Sequence, residues 1–173
     1  MSNIATRWGL TRQIIGTGTA AAMLFLIATG GAVTTAFAIG SNPGYPDRDN
    51  TLLGVDANHN GIRDDIDAYI TAEYPAQAHR AAAMQTARAM QWTLQVIPTD
   101  LISAKAASMR MTNAVNCVYS KFNHGGTAQK PAFVIEKIRG FTTNTKLHLI
   151  AYLDYCKALN GTSSSLPEGN TCD

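Results

Sequence analysis

The chain has 173 residues, of which 46% are hydrophobic and 15% are charged, the composition of an ordinary globular domain. This length is enough for one domain with its own hydrophobic core. The formal net charge of +2 is small, and no basic patch with interleaved aromatic residues occurs in the sequence. Nucleic-acid binding is therefore not among the expected functions.

Residues 1–38 have the features of a secretory signal peptide. Arg7 and Arg12 form a positively charged start without acidic residues, residues 20–37 are mostly apolar, and Ala36-Phe37-Ala38 is a small-x-small cleavage site. The alternative is a permanent membrane anchor, but the uninterrupted apolar run is shorter than the roughly 20 residues that a spanning helix needs. We expect cleavage, a periplasmic or secreted location in a bacterium, and no membrane attachment afterwards.

Residues 39–55 are expected to form an irregular acidic lead into the domain. Residues 42–47 are rich in proline, glycine and asparagine, which favour turns over regular structure. Charge is unevenly distributed beyond this turn-rich stretch: residues 47–67 hold six acidic and two basic side chains, whereas residues 68–173 hold six acidic and ten basic ones. An acidic segment beside a basic body is the distribution expected of a cation-binding loop docked on its scaffold.

Residues 56–67 carry oxygen-bearing side chains at the spacing of a calcium-binding loop. Loop positions one, three, five, nine and twelve are Asp56, Asn58, Asn60, Asp64 and Asp67. Gly61 at position six would take the sharp turn, and the backbone carbonyl of Ile62 at position seven would be a further ligand. Because Ca²⁺ takes about six to eight oxygen ligands, this set predicts a calcium site and makes Ca²⁺ the expected cofactor.

The alternative interpretation of this segment is an Asx-rich turn that only caps the next helix through Asp64 or Asp65. Five spaced oxygen side chains and a glycine are more than a cap requires, which favours the cation site. Only three of the five side chains are carboxylates, and Arg63 is expected to place a positive charge beside the loop. We therefore expect a weak site, with a dissociation constant of about 0.1–1 mM, as in extracellular modules.

The loop resembles a calcium-binding loop of the EF-hand type, and more closely the Asp-x-Asp-x-Asp-Gly-x-x-Asp loops of thrombospondin type 3-like repeats. Arg63 stands at position eight, where paired EF-hands carry a hydrophobic residue, and Asp67 replaces the usual glutamate at position twelve. No second loop of this pattern occurs in the sequence. Together with Asn144-Thr145-Lys146 and Leu166-Pro167-Glu168, the loop is also similar to small exported bacterial proteins of unassigned function. The resemblance implies one unpaired calcium loop and brings no catalytic residue with it.

Residues 64–161 are expected to form an all-α domain, an irregular bundle of four to five helices. The first helix should begin near Asp64 and end before Pro75, which disfavours helix at the residue that precedes it. Pro75 would then be the first residue of a second helix that extends to Ile97, with its apolar side chains at three- and four-residue steps. A third helix should be capped by Thr99 or Asp100 and end at residues 123–126.

Two further segments complete the expected bundle. Residues 132–139 are a short helix or a short strand, which periodicity alone does not distinguish, and Gly140 is expected to end this element. Asn144 or Thr145 should cap a last helix that runs through Leu159. Residues 162–173 form a tail that would be loose unless it is tethered.

Export permits disulfide bonds, and the three cysteines, Cys117, Cys156 and Cys172, allow three pairings. Cys156 shares the apolar face of the last predicted helix and is interpreted as a buried free thiol. Cys172 lies in the tail and needs an anchor, so we expect a Cys117–Cys172 disulfide that stabilises the fold by roughly 4 kcal/mol. No Cys-x-x-Cys spacing occurs, which disfavours a redox enzyme or a zinc ribbon.

The sequence predicts no catalytic residue. The four histidines, His59, His79, His124 and His148, are scattered, and none belongs to a His-Glu-x-x-His motif. The expected function is therefore that of an exported calcium-binding protein, in which calcium stabilises the structure or presents a binding surface to a partner that the sequence does not identify. The alternative is a small secreted hydrolase whose calcium loop is structural.

Overall fold

The computed structural model describes residues 46–48, 51–123 and 129–173. The predicted signal peptide, the first part of the predicted lead and His124 lie outside these residues. Regular structure in the described part of the chain consists of five helices, which confirms the all-α class: α1 (Asp64–Glu73), α2 (Gln77–Thr93), α3 (Leu101–Phe122), α4 (Pro131–Thr142) and α5 (Lys146–Ala158). None of these helices is long and apolar enough to cross a membrane.

The helix boundaries follow local capping chemistry at several of the predicted places. The Asp100 carboxylate accepts hydrogen bonds from the backbone N–H groups of Ile102 and Ser103 at the start of α3. The Thr145 hydroxyl accepts one from the His148 N–H at the start of α5. The first turn of α1 is acidic, which suits the positive end of the helix dipole. The sequence allowed Thr99 or Asp100 as the cap of α3 and Asn144 or Thr145 as the cap of α5, and the second residue of each pair is the cap. The helix α1 occupies the predicted residues.

The predicted ends of α2 were wrong. It begins at Gln77 rather than at Pro75, because Ala76 is still extended, with φ −70° and ψ 124°. It ends at Thr93 rather than at Ile97. After Thr93 the backbone N–H groups of residues 95 and 96 donate to the carbonyls of residues 92 and 93, which makes a tighter turn than an α-helix. That turn buries Leu94 and leaves Ile97 exposed.

The segment that allowed two interpretations is the helix α4, with Pro131 at its start. The prediction that Gly140 ends this element was wrong, because α4 continues through Gly140 to Thr142. A glycine inside a helix costs about 1 kcal/mol relative to alanine. The helix continues because Phe141 and Thr142 beyond it are buried, and the Thr142 hydroxyl donates to the Ile138 carbonyl at 2.9 Å.

The main core lies among α1, α2, α3 and α4. Its fully buried side chains include Ile66, Ile70, Ala83, Val118 and Ile138. A smaller cluster, Val96, Ala104, Ala107 and Tyr155, joins the first half of α3 to α5. Ile62 of the predicted calcium loop is also fully buried in the main core. Burial of such a side chain stabilises a fold by about 1.5–3 kcal/mol, so the loop is attached to the rigid part of the domain.

The C-terminal tail is held between α2 and α3. Cys172 forms a disulfide with Cys117, the pair expected from the sequence. The Thr171 hydroxyl donates to the Asn113 carbonyl at 2.7 Å, and the Gln85 side-chain amide donates to the Thr171 carbonyl at 2.8 Å. These bonds supply the tether that the predicted loose tail required.

Cys156 is a free thiol, but it is exposed, so the prediction that it is buried was wrong. The buried residues of α5 are His148 and Tyr155. Because these two polar side chains face the domain, Leu149, Leu153 and Cys156 face outward. Apolar periodicity indicated a stripe on α5 without indicating which side of the helix the domain would cover.

Candidate metal centre

Residues 56–67 form a closed loop with its turn at the predicted glycine. The N–H of Asp64 donates to the carbonyl of Val55 at 2.8 Å and closes the base of the loop. Gly61 has φ 80°, a left-handed conformation that favours glycine. The two carboxylate oxygens of Asp56 accept the N–H groups of Asn60 at 3.1 Å and Gly61 at 2.9 Å. The first predicted ligand thus organises the turn at positions five and six.

The side chains at positions three, five and twelve meet at one carboxylate oxygen. Asn58 Nδ2 donates to Asp67 Oδ2 at 3.1 Å, and Asn60 Nδ2 donates to the same atom at 2.7 Å. Asp67 lies in the first turn of α1. The amide oxygens of both asparagines accept backbone N–H groups, Asn58 from Asn60 at 3.0 Å and Asn60 from Ile62 at 2.8 Å. Half of the predicted ligand set is therefore directly hydrogen-bonded together.

Asp64, at position nine, bonds to the other side of the loop. Its Oδ1 accepts the N–H of Ala57 at 3.1 Å. Asp56, Asn60, Asp64 and Asp67 are all half-buried, whereas Asn58 is exposed. Side chains that are partly withdrawn from water bind a cation at a smaller cost in lost hydration than fully exposed ones.

The predicted metal ligands match calcium in chemical type and in number. Three carboxylates, two amide oxygens and one backbone carbonyl are hard oxygen ligands, and Ca²⁺ takes about six to eight of these. Within the described residues, no group of three histidine, cysteine, aspartate or glutamate side chains is arranged to hold a metal ion. The three loop carboxylates do not meet at one point, and the asparagine amides supply the positive partial charge at Asp67. Asn58, Asn60 and Asp67 are within hydrogen-bonding reach of one another, whereas the carboxylates of Asp56 and Asp64 accept backbone N–H groups of the loop.

Arg63, at position eight, turns away from the loop and into the domain. Its side chain is 1% exposed, and its guanidinium forms a two-point pair with Asp65, Nε to Oδ1 at 2.6 Å and Nη2 to Oδ2 at 2.8 Å. Nη2 also donates to the carbonyl of Phe141 at 3.0 Å. The expectation that Arg63 places its charge beside the loop was wrong, because Asp65 neutralises that charge inside the domain.

His148 completes the buried cluster around Arg63. This histidine is fully buried, and its Nε2 lies 2.9 Å from the Thr51 carbonyl, which accepts, so Nε2 carries the proton. Nδ1 then accepts from Arg63 Nη1 at 3.4 Å. Arg63 Nη1 also donates to Asn144 Oδ1 at 3.3 Å. The position that joins two loops in a paired EF-hand therefore joins this loop to the start of α5.

The same cluster binds the lead. The N–H of Asp47 donates to Asp65 Oδ2 at 2.6 Å, and the Asn144 side-chain amide donates to the Asp47 carbonyl. We name the set Arg63, Asp65, Asn144 and His148 the buried polar cluster. Sequence reasoning missed its role, although the departure at Arg63 from the apolar residue of a paired loop was the available signal. The cluster holds the lead, the loop and α5 in one arrangement.

His79 and His148 have structural surroundings. The ring of His79 stacks on Phe122 with centroids 4.4 Å apart, and its Nε2 contacts the Lys121 carbonyl at 3.2 Å. The ring partners of His148 are a carbonyl, an amide and a guanidinium. Within the described chain, neither ring is hydrogen-bonded to a hydroxyl or thiol nucleophile, so these contacts do not favour the hydrolase alternative.

The chain matches no protein-family model, no curated protein and no solved structure. The interpretation of the loop therefore depends on its residues and their geometry.

Proposed function

We propose that this chain is an exported calcium-binding protein in which Ca²⁺ stabilises the N-terminal edge of a helical domain. The oxygens of Asp56, Asn58, Asn60, Asp64 and Asp67 and the carbonyl of Ile62 would hold the ion. The observation that carries the proposal is that Asn58, Asn60 and Asp67 lie within hydrogen-bonding distance of one another across the left-handed turn at Gly61, so that rotation of the two side-chain amides would bring their oxygens to an ion beside Asp67. A calcium ion supplies the positive charge that three carboxylates in one short loop lack.

The place of the loop in the fold supports a stabilising role. Asp56 precedes the turn and Asp67 belongs to α1, so an ion bound to both links the end of the lead to the first helix. Ile62 and Arg63, between them, are buried and fix the far side of the loop to the domain. Calcium would therefore stabilise the side of the loop formed by Asp56 and Asp67, which is not buried in the protein core.

Two features support export. The sequence of residues 1–38 is that of a signal peptide. The Cys117–Cys172 disulfide suits an oxidising compartment, where such bonds persist. Calcium at millimolar concentration outside the cell suits a site with a dissociation constant of about 0.1–1 mM.

The test is thermal unfolding of the purified protein in chelator, in ~10 mM calcium and in ~10 mM magnesium. For the affinity given above, mass action predicts about 1.4–2.7 kcal/mol of stabilisation by calcium, a rise of several degrees in Tm. Magnesium should give a much smaller rise, because it demands a tighter octahedral arrangement. Equal shifts with the two ions, or no shift with calcium, would contradict the proposal.

Asp67→Asn identifies the site. Asparagine retains an oxygen that can accept the two amide groups but removes the charge, so the calcium-dependent shift should fall by half or more while Tm in chelator changes little. Glu168→Gln is the matched control, since Glu168 is an exposed acid in the tail. Its calcium shift should equal that of the unmodified protein.

A further inference from the structure

A cavity between α2 and α3 lies beside the C-terminal tail. It has a volume of about 530 Å³, within the range of about 300–1,000 Å³ that small-molecule sites occupy. Ala78, Ala81 and Met84 of α2 line its apolar side, together with the Cys117–Cys172 disulfide. Lys121 of α3 also lines it. The cavity thus combines apolar lining residues with a cationic side chain.

A second cavity of about 180 Å³ continues the first along the same two helices. Gln85, Arg88 and Asp173 line both cavities, and the second adds Trp92 and Arg110. The guanidinium of Arg110 lies 4.4 Å over the ring of Trp92. We name the two cavities together the tail groove. Arg88 and Asp173 stand at its middle.

The charge of the tail groove is positive. It contains three cationic side chains, Arg88, Arg110 and Lys121, and one acidic side chain, Asp173. Asp173 pairs with Arg88 at 2.8 Å, and within the described residues no ion pair links Arg110 or Lys121 to a carboxylate. Residues 39–173 as a whole hold equal numbers of acidic and basic side chains. The groove therefore has an excess of positive side-chain charge on a domain of zero formal net charge, which favours an anionic ligand.

The Arg88–Asp173 pair is a carboxylate of the chain itself held by a cation of the groove. The Arg88 side chain is 35% exposed and that of Asp173 is 64% exposed, and an ion pair this open to solvent contributes little to stability. The Gln85 side chain holds the backbone of the tail on both sides of Cys172, through the Thr171 carbonyl and the Asp173 N–H. The tail backbone can therefore stay in place while another carboxylate replaces that of Asp173 on Arg88.

We propose that the tail groove binds an amphiphilic carboxylic acid. The apolar chain lies in the larger cavity against Ala78, Ala81 and Met84. The carboxylate binds Arg88 in place of Asp173, and the Lys121 ammonium, which lines the larger cavity, adds electrostatic attraction. Charge complementarity selects an acid over a neutral or cationic amphiphile of the same chain. The inference does not depend on calcium binding by residues 56–67.

Binding is measured by calorimetry on the full protein with dodecanoate, and with dodecanol and dodecylamine as probes of the same chain length. Dodecanoate should bind at least tenfold more tightly than either. Arg88→Gln should weaken dodecanoate binding about tenfold, and Asp173→Asn should strengthen it severalfold because it removes the competing acid. Lys105→Gln, an exposed cation of α3 that does not line either cavity, should leave the affinity unchanged.

The position of the apolar chain is tested by Ala81→Trp. Ala81 is exposed on α2, so the helix accommodates tryptophan there while the indole fills the larger cavity. Loss of dodecanoate binding in this folded variant is the expected result. Equal affinities for dodecanoate and dodecanol, or unchanged binding in both Arg88→Gln and Ala81→Trp, would overturn the inference.

Discussion

The buried pair of Arg63 and Asp65 should dominate the stability of the N-terminal edge. Arg63→Met keeps an unbranched apolar stem but removes the guanidinium. The side chain of Asp65 is 2% exposed, so its carboxylate would remain buried with the Asp47 N–H as its remaining hydrogen-bond donor among those described. Removing one partner of a buried ion pair costs about 3–5 kcal/mol. A loss of that size is a large share of the roughly 5–15 kcal/mol that stabilises a typical domain.

The assay is urea unfolding followed by circular dichroism, in excess calcium. Arg63→Met should lose about 3–5 kcal/mol of unfolding free energy. The double variant Arg63→Met/Asp65→Leu should lose much less than the sum of the two single variants, because it leaves no buried charge unpaired. Arg139→Met is the control: its pair with Glu136 is exposed, and the loss should stay below about 1 kcal/mol. Additive losses, or a loss below about 1 kcal/mol in Arg63→Met, would refute this reasoning.

Calcium affinity of Arg63→Met tests whether the Arg63 charge is neutralised inside the domain or acts on the calcium ion. If the Arg63 charge opposed calcium, Arg63→Met would bind calcium more tightly than the unmodified protein. Because Asp65 neutralises that charge inside the domain, we expect the dissociation constant to be unchanged or raised. Calcium titration of the folded variant at low temperature measures it. A several-fold gain in affinity would show that the charge acts on the loop.

Three further predictions concern backbone conformation, covalent tethering and capping. Gly54→Ala should cost at least about 2 kcal/mol of unfolding free energy, because Gly54 has φ +68° and an added Cβ would lie 2.1 Å from the side chain of the buried arginine. Gly169→Ala, with φ +80° and open space, should cost only about 1 kcal/mol, and equal losses in the two variants would contradict the role of the close approach. Cys172→Ser should lose roughly 4 kcal/mol in denaturant unfolding, since the disulfide closes a loop of 55 residues, whereas Cys156→Ser should be neutral; a small loss in Cys172→Ser would mean that hydrogen bonds alone hold the tail. The backbone N–H of residue 103 lowers the pKa of Asp100, so its stabilising effect is present above pH 3.8, the ordinary pKa, and is lost as pH falls through the lower folded value. The Tm difference between Asp100→Ala and the unmodified protein should accordingly shrink below about pH 4, and a constant difference would exclude this origin.

Much of the helical framework could be predicted because its signals lie within a few residues of one another. The cap at Asp100 and the left-handed turn at Gly61 are each determined by bonds to residues no more than five positions away. Such bonds form wherever the rest of the chain lies, so spacing and residue type suffice to predict them. The C-terminal ends of α2 and α4 were missed because burial of Leu94 and Phe141 overrode the local signals.

The sequence by itself determined the candidate calcium loop, the all-α class and the pairing expected for Cys172, because each depends on local spacing or on a small set of alternatives. Only the tertiary structure decided that Arg63 is buried, through contacts with Asn144 and His148 that are 81 and 85 residues distant in the chain. It also decided that Cys156 is exposed, because the side of α5 that faces the domain is chosen by the burial of His148. Periodicity shows that a helix has an apolar or polar face, but the partner that covers this face belongs to distant parts of the chain. The physical reason is that burial is a property of the whole packed domain, whereas a cap or a turn is a property of a few neighbouring residues.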